Sequence, residues 1–348
     1  MNDLSCSMCL PTEIRRRFDL HRMGFSLVEV LVAMAVLCLI VALSATMIGQ
    51  IQKVWKYTRA RTEQFQKARQ ALGTIASRLS EATLNPYWMV ETNSSGTPLR
   101  YARQSDLRFL AGPAASLTGF AAPGTGCALF FQAPTGFSSQ SPGIFTDALN
   151  TWGYFVEYGS DAGYRPPFLA SAGVSAQNRF RLLEFTDPCD TLRVFKYTSG
   201  DPGYVGHEWF STTLAMAGNR RVLADNIVAL VVLPRLTAAE DPDGVVLSPG
   251  FVYDSTATNP HKVLNPRHQL PPIVDVAVVA IDEQSARRIN WEATPPDFGS
   301  ANLFQDPAKL EADLDTLRTA IEAKGMSVGV FRASIPIGAA RWSTEQSN

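Results

Sequence analysis

The longest apolar stretch of the chain lies near its N-terminus, over residues 25–52, and contains a single charged residue, Glu29. As an α-helix rising about 1.5 Å per residue, its most apolar part, 25–48, would be roughly 36 Å long, which is enough to cross a bilayer. Basic residues before an apolar run are typical of the cytoplasmic side of a membrane. Four arginines precede this run: Arg15, Arg16, Arg17 and Arg22. The pattern therefore predicts a membrane-spanning helix.

Simpler classes of N-terminal segment explain this stretch less well. A secretory signal peptide has an apolar region of roughly 7–15 residues, and here the apolar run continues past any cleavage site near residues 42–45. Arg16 and Arg17 give only a faint twin-arginine pattern, and the long span argues against it. A plain membrane anchor fits the length but leaves Glu29 unexplained. A carboxylate inside an apolar helix costs about 2.5–3.5 kcal/mol, and such residues usually have a function.

Beyond the span, apolar residues recur at steps of three and four, which is the spacing of one face of a helix. They are Phe65, Ala68, Leu72, Ile75 and Leu79. Pro86 cannot continue a helix, because it lacks the backbone N–H. We therefore expect one helix from Phe25 to about Leu84, whose first half spans lipid and whose second half packs under a sheet.

Short β-branched and aromatic runs follow, separated by turn-rich segments, and they predict strands. The predicted strands are 128–132, 154–158, 181–185, 192–197, 227–233, 273–281 and 326–337. Residues 93–126 are rich in Gly, Pro, Ser and Thr and predict loops.

A second helix is predicted near the C-terminus, with Asp306 as its N-cap, Pro307 as its first residue and Gly325 closing it. Its buried face would consist of Leu310, Leu314, Leu317 and Ile321. A helix followed mostly by antiparallel strands gives the α+β class, here a long N-terminal helix packed on a mostly antiparallel sheet.

Composition and charge change this picture little. Charged residues make up 18% of the chain and the formal net charge is −1, so no global electrostatic argument favours nucleic acid as a partner. The basic run from Lys53 to Arg69 could contact DNA, but it follows the span directly. Charges that face solvent or lipid head groups are the commoner explanation there, and we expect no nucleic-acid partner.

The chain contains five cysteines, too few for a disulfide scaffold. Cys6 and Cys9 form a CxxC pair before the span, without the βαβ context of a redox motif. Cys38 lies inside the span and is expected to pack as a small apolar residue. Cys127 and Cys189 could form a disulfide in an oxidising compartment, or could be two buried thiols on neighbouring strands.

The sequence contains no recognisable motif for catalysis or metal binding: no HExxH, GxSxG, P-loop or GxGxxG. Its four histidines are scattered, and we expect loop or surface positions for His21, His207, His261 and His268. Asp241 and Asp243, in Asp-Pro-Asp-Gly, are weak candidates for calcium ligands. A turn is the simpler interpretation, because the further ligands of an EF-hand are missing. We expect no catalytic residue, metal or cofactor.

The residues at the start of the apolar stretch resemble the prepilin peptidase recognition segment of type IV pilin-like proteins. Gly24, Phe25 and Glu29 match that segment in register, and an uninterrupted apolar helix follows. The resemblance implies cleavage after Gly24, N-methylation of the new N-terminal residue Phe25, and a role in assembly for Glu29, which would be the fifth mature residue.

Several short stretches of the remaining chain resemble a pilin-like family from Verrucomicrobia, the cassette protein C family. They are 129–134, 153–158, 224–235, 269–282 and 340–343. This resemblance implies pilin-like partners rather than an activity. The layout is also similar to the J-type minor pseudopilins of type II secretion, although the mature chain here is longer.

These resemblances imply a single-pass protein of the inner (cytoplasmic) membrane. Charge alone leaves its orientation open, because four basic residues also follow the span; the cleavage motif implies a cytoplasmic N-terminus. The expected organisation is a cleaved leader, 1–24, a transmembrane half-helix, 25–52, an extramembrane half-helix, 53–86, and an extracytoplasmic pilin-like domain, 87–348.

The expected function is that of a non-enzymatic pseudopilin subunit in a pilus-like secretion or assembly machine. Its expected partners are the prepilin peptidase, other pilin-like subunits and membrane lipid. Two alternatives belong to other classes: a membrane-anchored extracytoplasmic enzyme, and a minor pilin that binds DNA or a surface. The first predicts activity in a protein lacking residues 1–52, and the second predicts saturable, salt-dependent retention of the ligand.

Overall fold

The computed structural model describes residues 26–119, 124–140, 147–196, 206–241, 246–259, 264–289 and 293–343. The predicted cleavage residues Gly24 and Phe25, and the predicted calcium ligand Asp243, lie outside these ranges. The chain divides into two compact units, Met1–Lys56 and Tyr57–Asn348. The division falls four residues after the predicted end of the transmembrane half-helix.

A single long helix, α1, runs from Leu27 to Ser80 and contributes to both units. It begins after Ser26, whose hydroxyl accepts a hydrogen bond from the backbone N–H of Glu29 at 3.3 Å. A serine in this position satisfies one of the N–H groups that have no partner in the first turn of a helix.

The second part of α1 is a core helix of the second unit. The predicted apolar stripe is confirmed: Ala68, Leu72, Ile75 and Leu79 are buried and Phe65 is half-buried. The helix ends at Ser80, earlier than predicted. Three residues later the N–H of Thr83 donates to the carbonyl oxygen of Gln132 at 2.9 Å.

The remaining elements are short helices and eleven strands within the part of the chain that the structure describes. The strands are β1 Tyr87–Thr92, β2 Pro98–Gln104, β3 Leu110–Pro113, β4 Cys127–Ala133, β5 Asn150–Ser160, β6 Asn178–Asp187, β7 Arg220–Asp225, β8 Ile227–Arg235, β9 Tyr253–Asp254, β10 Ile273–Ile281 and β11 Val328–Pro336. The helices are α2 Ala114–Thr118, α3 Pro167–Ser171, α4 Glu208–Leu214, α5 Glu283–Ile289 and α6 Leu310–Ala323.

The strands form three sheets rather than the one that the sequence predicts. The largest has six strands in the order β7-β6-β5-β4-β3-β9, and a second has three in the order β11-β10-β8. Strands β1 and β2 form a separate hairpin. Every pairing of named strands is antiparallel, so the α+β class and the antiparallel pairing are confirmed.

The chain passes from the larger to the smaller sheet at Asn226, between β7 and β8. Its backbone is left-handed (φ 61°), which asparagine tolerates better than most residues. The N–H of Asn226 donates to the carbonyl oxygen of Phe180 on β6 (2.7 Å), and its own carbonyl accepts from Ile281 at the end of β10 (2.9 Å). One residue therefore hydrogen-bonds to both sheets.

The C-terminal helix forms as predicted. The carboxylate of Asp306 accepts a hydrogen bond from the N–H of Ala308, and Pro307 opens a short 3₁₀ turn that leads into α6. Leu314, Leu317 and Ile321 of α6 are buried. Leu310 is half-buried, and Gly325 follows the helix with φ 71°.

Two sequence predictions are wrong. Residues 93–126 are not only loops, because they contain β2, β3 and α2. Residues 192–196, predicted as part of a strand, form turns and loop. The carboxylate of Asp187 organises that loop, since it accepts hydrogen bonds from the hydroxyl of Thr191 (3.0 Å) and the N–H of Arg193 (3.2 Å).

Candidate functional site

The first part of α1 is the strongest candidate for a functional element. By length and composition α1 could cross a membrane, and the apolar window near its start buries no residue within its own chain. Large apolar side chains such as Leu27, Leu31 and Ile51 are well over half exposed. A helix that is apolar on all sides needs an apolar surrounding, either lipid or other helices.

Glu29 is the only acidic residue in the first turn of this helix. Its side chain is exposed within the chain. Its position near the positive end of the helix dipole favours a carboxylate. Ser26 and Glu29 also have the spacing of a capping box, in which the hydroxyl of the serine binds the N–H of the glutamate, as it does here at 3.3 Å. This bond uses the backbone N–H of Glu29, and the capping-box spacing would also let its carboxylate act at the helix start, alongside any role in assembly.

Polar residues inside the apolar stretch satisfy their hydrogen bonds within the helix. The hydroxyl of Ser44 donates to the carbonyl oxygen of Ile40 (2.8 Å), and that of Thr46 donates to Leu43 (2.7 Å). Hydrocarbon offers no water to such groups, so this pairing suits a lipid or helix-bundle surrounding. The thiol of Cys38 is free and exposed on the same helix.

The polarity of the helix changes near residue 50. Lys53 and Lys56 flank Trp55, whose side chain is 71% exposed. Lysine and tryptophan together are typical of the boundary between hydrocarbon and water. A little further on, Arg59 forms an i,i+4 ion pair with Glu63 at 2.8 Å.

The second part of α1 is fixed to the six-stranded sheet by a buried carboxylate. Glu184 on β6 is 1% exposed and forms ion pairs with Arg78 of α1 and Arg221 of β7. The hydroxyl of Tyr154 on β5 donates a third hydrogen bond to this carboxylate at 3.1 Å. A buried carboxylate needs such partners, because an unpaired charge in the interior is costly.

Aromatic residues complete this cluster. The guanidinium of Arg78 lies 3.6 Å from the centre of the Trp152 ring, a cation–π contact that also shields the ion pair from water. Burial, and after it the charge of Glu184, raises the pKa of Tyr154. Its hydroxyl therefore stays protonated and remains a donor.

Two further contacts hold α1 to both sheets. The side-chain amide of Gln64, itself buried, donates to the carbonyl oxygen of Asp225 at the end of β7 (2.6 Å). The ring of Phe65 packs on Phe331 of β11, with 5.7 Å between ring centres. From Tyr57 to Ser80, α1 therefore belongs to the second unit.

Sequence reasoning missed the ion pair of Arg78 and Glu184. The two residues are 106 positions apart, so no local pattern links them. The available signal was Glu184, a charged residue inside the predicted strand 181–185. Such a charge needs a partner, but the sequence does not say which arginine provides it.

The thiols of Cys127 and Cys189 are free, so the structure does not contain the disulfide that was one of two sequence alternatives. Cys127 begins β4, Cys189 follows β6, and β5 lies between those strands. The second alternative is also only partly right: Cys127 is buried, with its pKa raised to about 11 mainly by burial, whereas Cys189 lies in a half-buried turn.

No group of three metal-ligating side chains occurs among the residues that the structure describes. Asp241 is half-buried. Of the histidines, His21 and His261 lie outside the described ranges, His207 precedes α4, and His268 is half-buried in a loop. Those candidates that lie in the described ranges are therefore not brought together at one metal site.

One cavity contains carboxylates that are paired with arginines. A cavity of about 230 Å³ between β10, β11 and α6 contains Asp275 and Glu311. Asp275 is paired with Arg235, and Glu311 with Arg332.

No family model matches this chain, and no curated protein or solved structure matches it either. The pilin-like resemblance of the N-terminal segment therefore stays a prediction from the sequence.

Proposed function

We propose that this protein is a non-enzymatic pilin-like subunit of a pilus or pseudopilus type of envelope machine. In this proposal a prepilin peptidase removes residues 1–24 on the cytoplasmic face of the inner membrane. The apolar part of α1 then leaves the bilayer and bundles with the same part of neighbouring pilin-like subunits. The second unit is the extracytoplasmic domain.

The observation that supports this proposal best is the difference in burial between the two parts of α1. Its first part is exposed and apolar with one carboxylate at the start, and its second part is buried in a folded unit through Gln64, Phe65 and Arg78. An ordinary membrane anchor needs no such continuity, because a flexible linker would serve equally well. Here one helix, Leu27–Ser80, contains both the apolar part and the part that packs in the folded unit.

The three arginines of the basic run after the span make local contacts. Arg59 pairs with Glu63, the guanidinium of Arg61 lies 5.5 Å from the ring centre of Phe65, and that of Arg69 lies 5.3 Å from Phe331. These contacts support the interpretation of the run as part of the helix surface rather than as a DNA-binding strip.

The processing step has a direct test. Mass spectrometry of the N-terminal peptide of the membrane-extracted protein should show a methylated N-terminus at Phe25. The leader should remain on a Gly24→Val variant and in cells without prepilin peptidase. An N-terminus near Ala45, or an intact leader in cells with active peptidase, would rule out the proposal.

The expected partners can be tested in the native membrane. Cysteine cross-linking along the first part of α1 should trap pairs between this protein and other pilin-like chains. A matched cysteine at exposed Thr316 on α6 should give no such pairs. Self-pairs alone, under conditions that trap a control pilin, would contradict a role in a mixed fibre.

A further inference from the structure

The hairpin of β1 and β2 is separate from the other sheets. Its strands pair only with each other among the described residues, so both outer edges are open. A two-stranded hairpin alone is marginally stable in water, and usually needs a covering surface. This hairpin nevertheless carries several exposed large apolar side chains: Tyr87, Trp88, Met89, Leu99 and Tyr101.

The strand register places the aromatic residues of one face together. Trp88 lies opposite Arg103, and Val90 lies opposite Tyr101, so these four side chains share a face. Trp88 is 54% exposed and Tyr101 is 72% exposed. The guanidinium of Arg103 lies 5.9 Å from the centre of the Trp88 ring. Tryptophan, tyrosine and arginine are the residues most enriched in binding hot spots.

The base of the hairpin is held rigidly on the second unit. Arg103 donates to the side-chain oxygen of Gln269 (2.7 Å) and to the carbonyl oxygen of Arg341 (3.1 Å). Beside these contacts is a cavity of about 130 Å³, lined among others by Trp88, His268 and Arg341. A preorganised surface of this kind loses little conformational entropy when a partner binds.

Arginines outnumber carboxylates around the hairpin, where the hydroxyl of Tyr87 also donates to the carboxylate of Asp106 at 3.4 Å. Arg100 and Arg267 share one carboxylate, that of Glu91, at 2.7 and 4.0 Å. The guanidinium groups of Arg103 and Arg341 donate these hydrogen bonds to uncharged amide or carbonyl oxygens. The pKa of His268 is lowered to about 4, first by burial and then by the charge of Arg267, in agreement with a positive local field.

We propose that this hairpin, Tyr87–Gln104, is a docking surface for a different protein that presents an apolar patch bordered by carboxylates. A second copy in a twofold arrangement would bring the arginines of both hairpins together, which is unfavourable. An anionic lipid surface fits less well, because the open strand edges suit another polypeptide. The inference does not depend on the proposed function of α1.

The test uses the full-length protein in its native membranes. A photoreactive benzoylphenylalanine is introduced at Tyr101, and a matched one at Phe168 of α3, a similarly exposed aromatic residue far away in sequence. The cross-linked peptide is identified by mass spectrometry. We expect the Tyr101 probe to give one defined adduct, with a peptide of another protein that contains apolar residues next to Asp or Glu. The Phe168 probe should not give that adduct.

Charge reversal then tests the recognition chemistry. Arg341→Glu should lower the yield of the adduct by about tenfold or more, and so should high salt. The same reversal at Arg318 of α6 should leave it unchanged. Trp88→Ala, in a protein whose thermal unfolding is preserved, should also abolish it. Adducts with lipid or with a second copy, no adduct at all, or an adduct insensitive to Arg341→Glu would overturn the proposal.

Discussion

The guanidinium of Arg78 and the carboxylate of Glu184 form an ion pair between α1 and strand β6 of the six-stranded sheet. Arg78 is a few residues from the C-terminal end of a helix whose other end is exposed and apolar. The pair therefore fixes the helix to the domain near the point where the chain leaves the helix.

Replacing Arg78 by methionine should destabilise the second unit by about 2 kcal/mol. Methionine keeps much of the apolar packing on Trp152 but removes one of the two positive partners of buried Glu184. The cost is below the full penalty for a stranded charge, because Arg221 and the hydroxyl of Tyr154 remain. Urea unfolding of the detergent-solubilised protein, followed by tryptophan fluorescence, measures the change.

Arg318→Met provides the matched control, since Arg318 forms an exposed i,i+4 pair with Glu322 on α6. Exposed pairs of this kind contribute at most about 0.5 kcal/mol. Equal losses of unfolding free energy in Arg78→Met and Arg318→Met would mean that the pair of Arg78 with buried Glu184 contributes no more than an exposed ion pair. Arg78→Lys should recover only part of the loss, because lysine keeps the charge but not the planar stack on Trp152.

Gly126→Ala should destabilise the protein by about 3 kcal/mol or more, or prevent folding. Gly126 has φ 87°, and a Cβ there would lie 2.2 Å from the carbonyl oxygen of Leu230. That oxygen belongs to the backbone of β8, at the place where the two larger sheets meet. The strands would have to separate, breaking the hydrogen bond from the N–H of Leu230 to the carbonyl oxygen of Thr125 (3.1 Å).

Gly96→Ala separates this steric effect from backbone strain. Gly96, in the turn of the hairpin, also has a positive φ (77°), but no other group lies within 4 Å of the position that a Cβ would occupy. We expect a cost of about 1 kcal/mol there, from the left-handed backbone alone. The free energies of unfolding of the two variants should therefore differ clearly. Similar values would show that the contact between the sheets can adjust.

The helices were the most predictable part of this fold. The stripe in α1 and the Asp306–Pro307 start before α6 are local signals, and local contacts decide such elements. The end of α1 was misplaced because Ala82 and Leu84 are buried, as helix residues would be, yet there the helix has already ended and Thr83 hydrogen-bonds to Gln132.

The hairpin was missed for a different reason. Residues 94–96 belong to a glycine- and serine-rich run that favours a loop, but they form the turn between β1 and β2. The side-chain oxygen of Asn93 accepts hydrogen bonds from the N–H groups of Ser95 (3.0 Å) and Thr97 (2.8 Å), and closes that turn. Composition averaged over a long window hides a short turn of this kind.

The stability of the second unit should fall as the pH drops from about 6.5 to about 4, in part because of His268. Its pKa in the folded protein is lowered to about 4, mainly by burial, whereas the unfolded chain binds the proton near pH 6.5. Between these values the unfolded state binds more protons, so acid favours unfolding. Allowing for partial exposure, we expect a contribution of about 1–2 kcal/mol.

His268→Asn isolates this contribution. Asparagine tolerates the positive φ of 54° at this position and does not titrate. The variant should lose less stability than the native protein between pH 6.5 and pH 4, in urea unfolding curves measured at each pH. Identical pH dependence in the two proteins would mean that the pKa of His268 does not differ between the folded and the unfolded state.

Glu29 provides the sharpest test of the proposed assembly. Its carboxylate is costly in lipid unless a positive group meets it. In our proposal cleavage creates such a group, the amine of Phe25, which could pair with Glu29 of its own helix or of a neighbouring subunit. A pair between subunits would set the axial register of the bundle. Glu29→Leu should therefore insert and be cleaved, but its incorporation into the fibre should fall by tenfold or more, on the order of 1.4 kcal/mol.

Glu29→Gln distinguishes charge pairing from the capping of the helix start. Glutamine can take the place of glutamate in a capping box with Ser26, but it carries no charge. If the pair with the amine sets the register, Glu29→Gln should be excluded from fibres as strongly as Glu29→Leu. Glu63→Leu, which removes an exposed carboxylate elsewhere on α1, should assemble normally. Quantitative mass spectrometry of isolated fibres measures all three variants, relative to the total cleaved protein in the membrane. Incorporation of Glu29→Gln at the native level would assign Glu29 to the local helix cap and remove it from the contact between subunits.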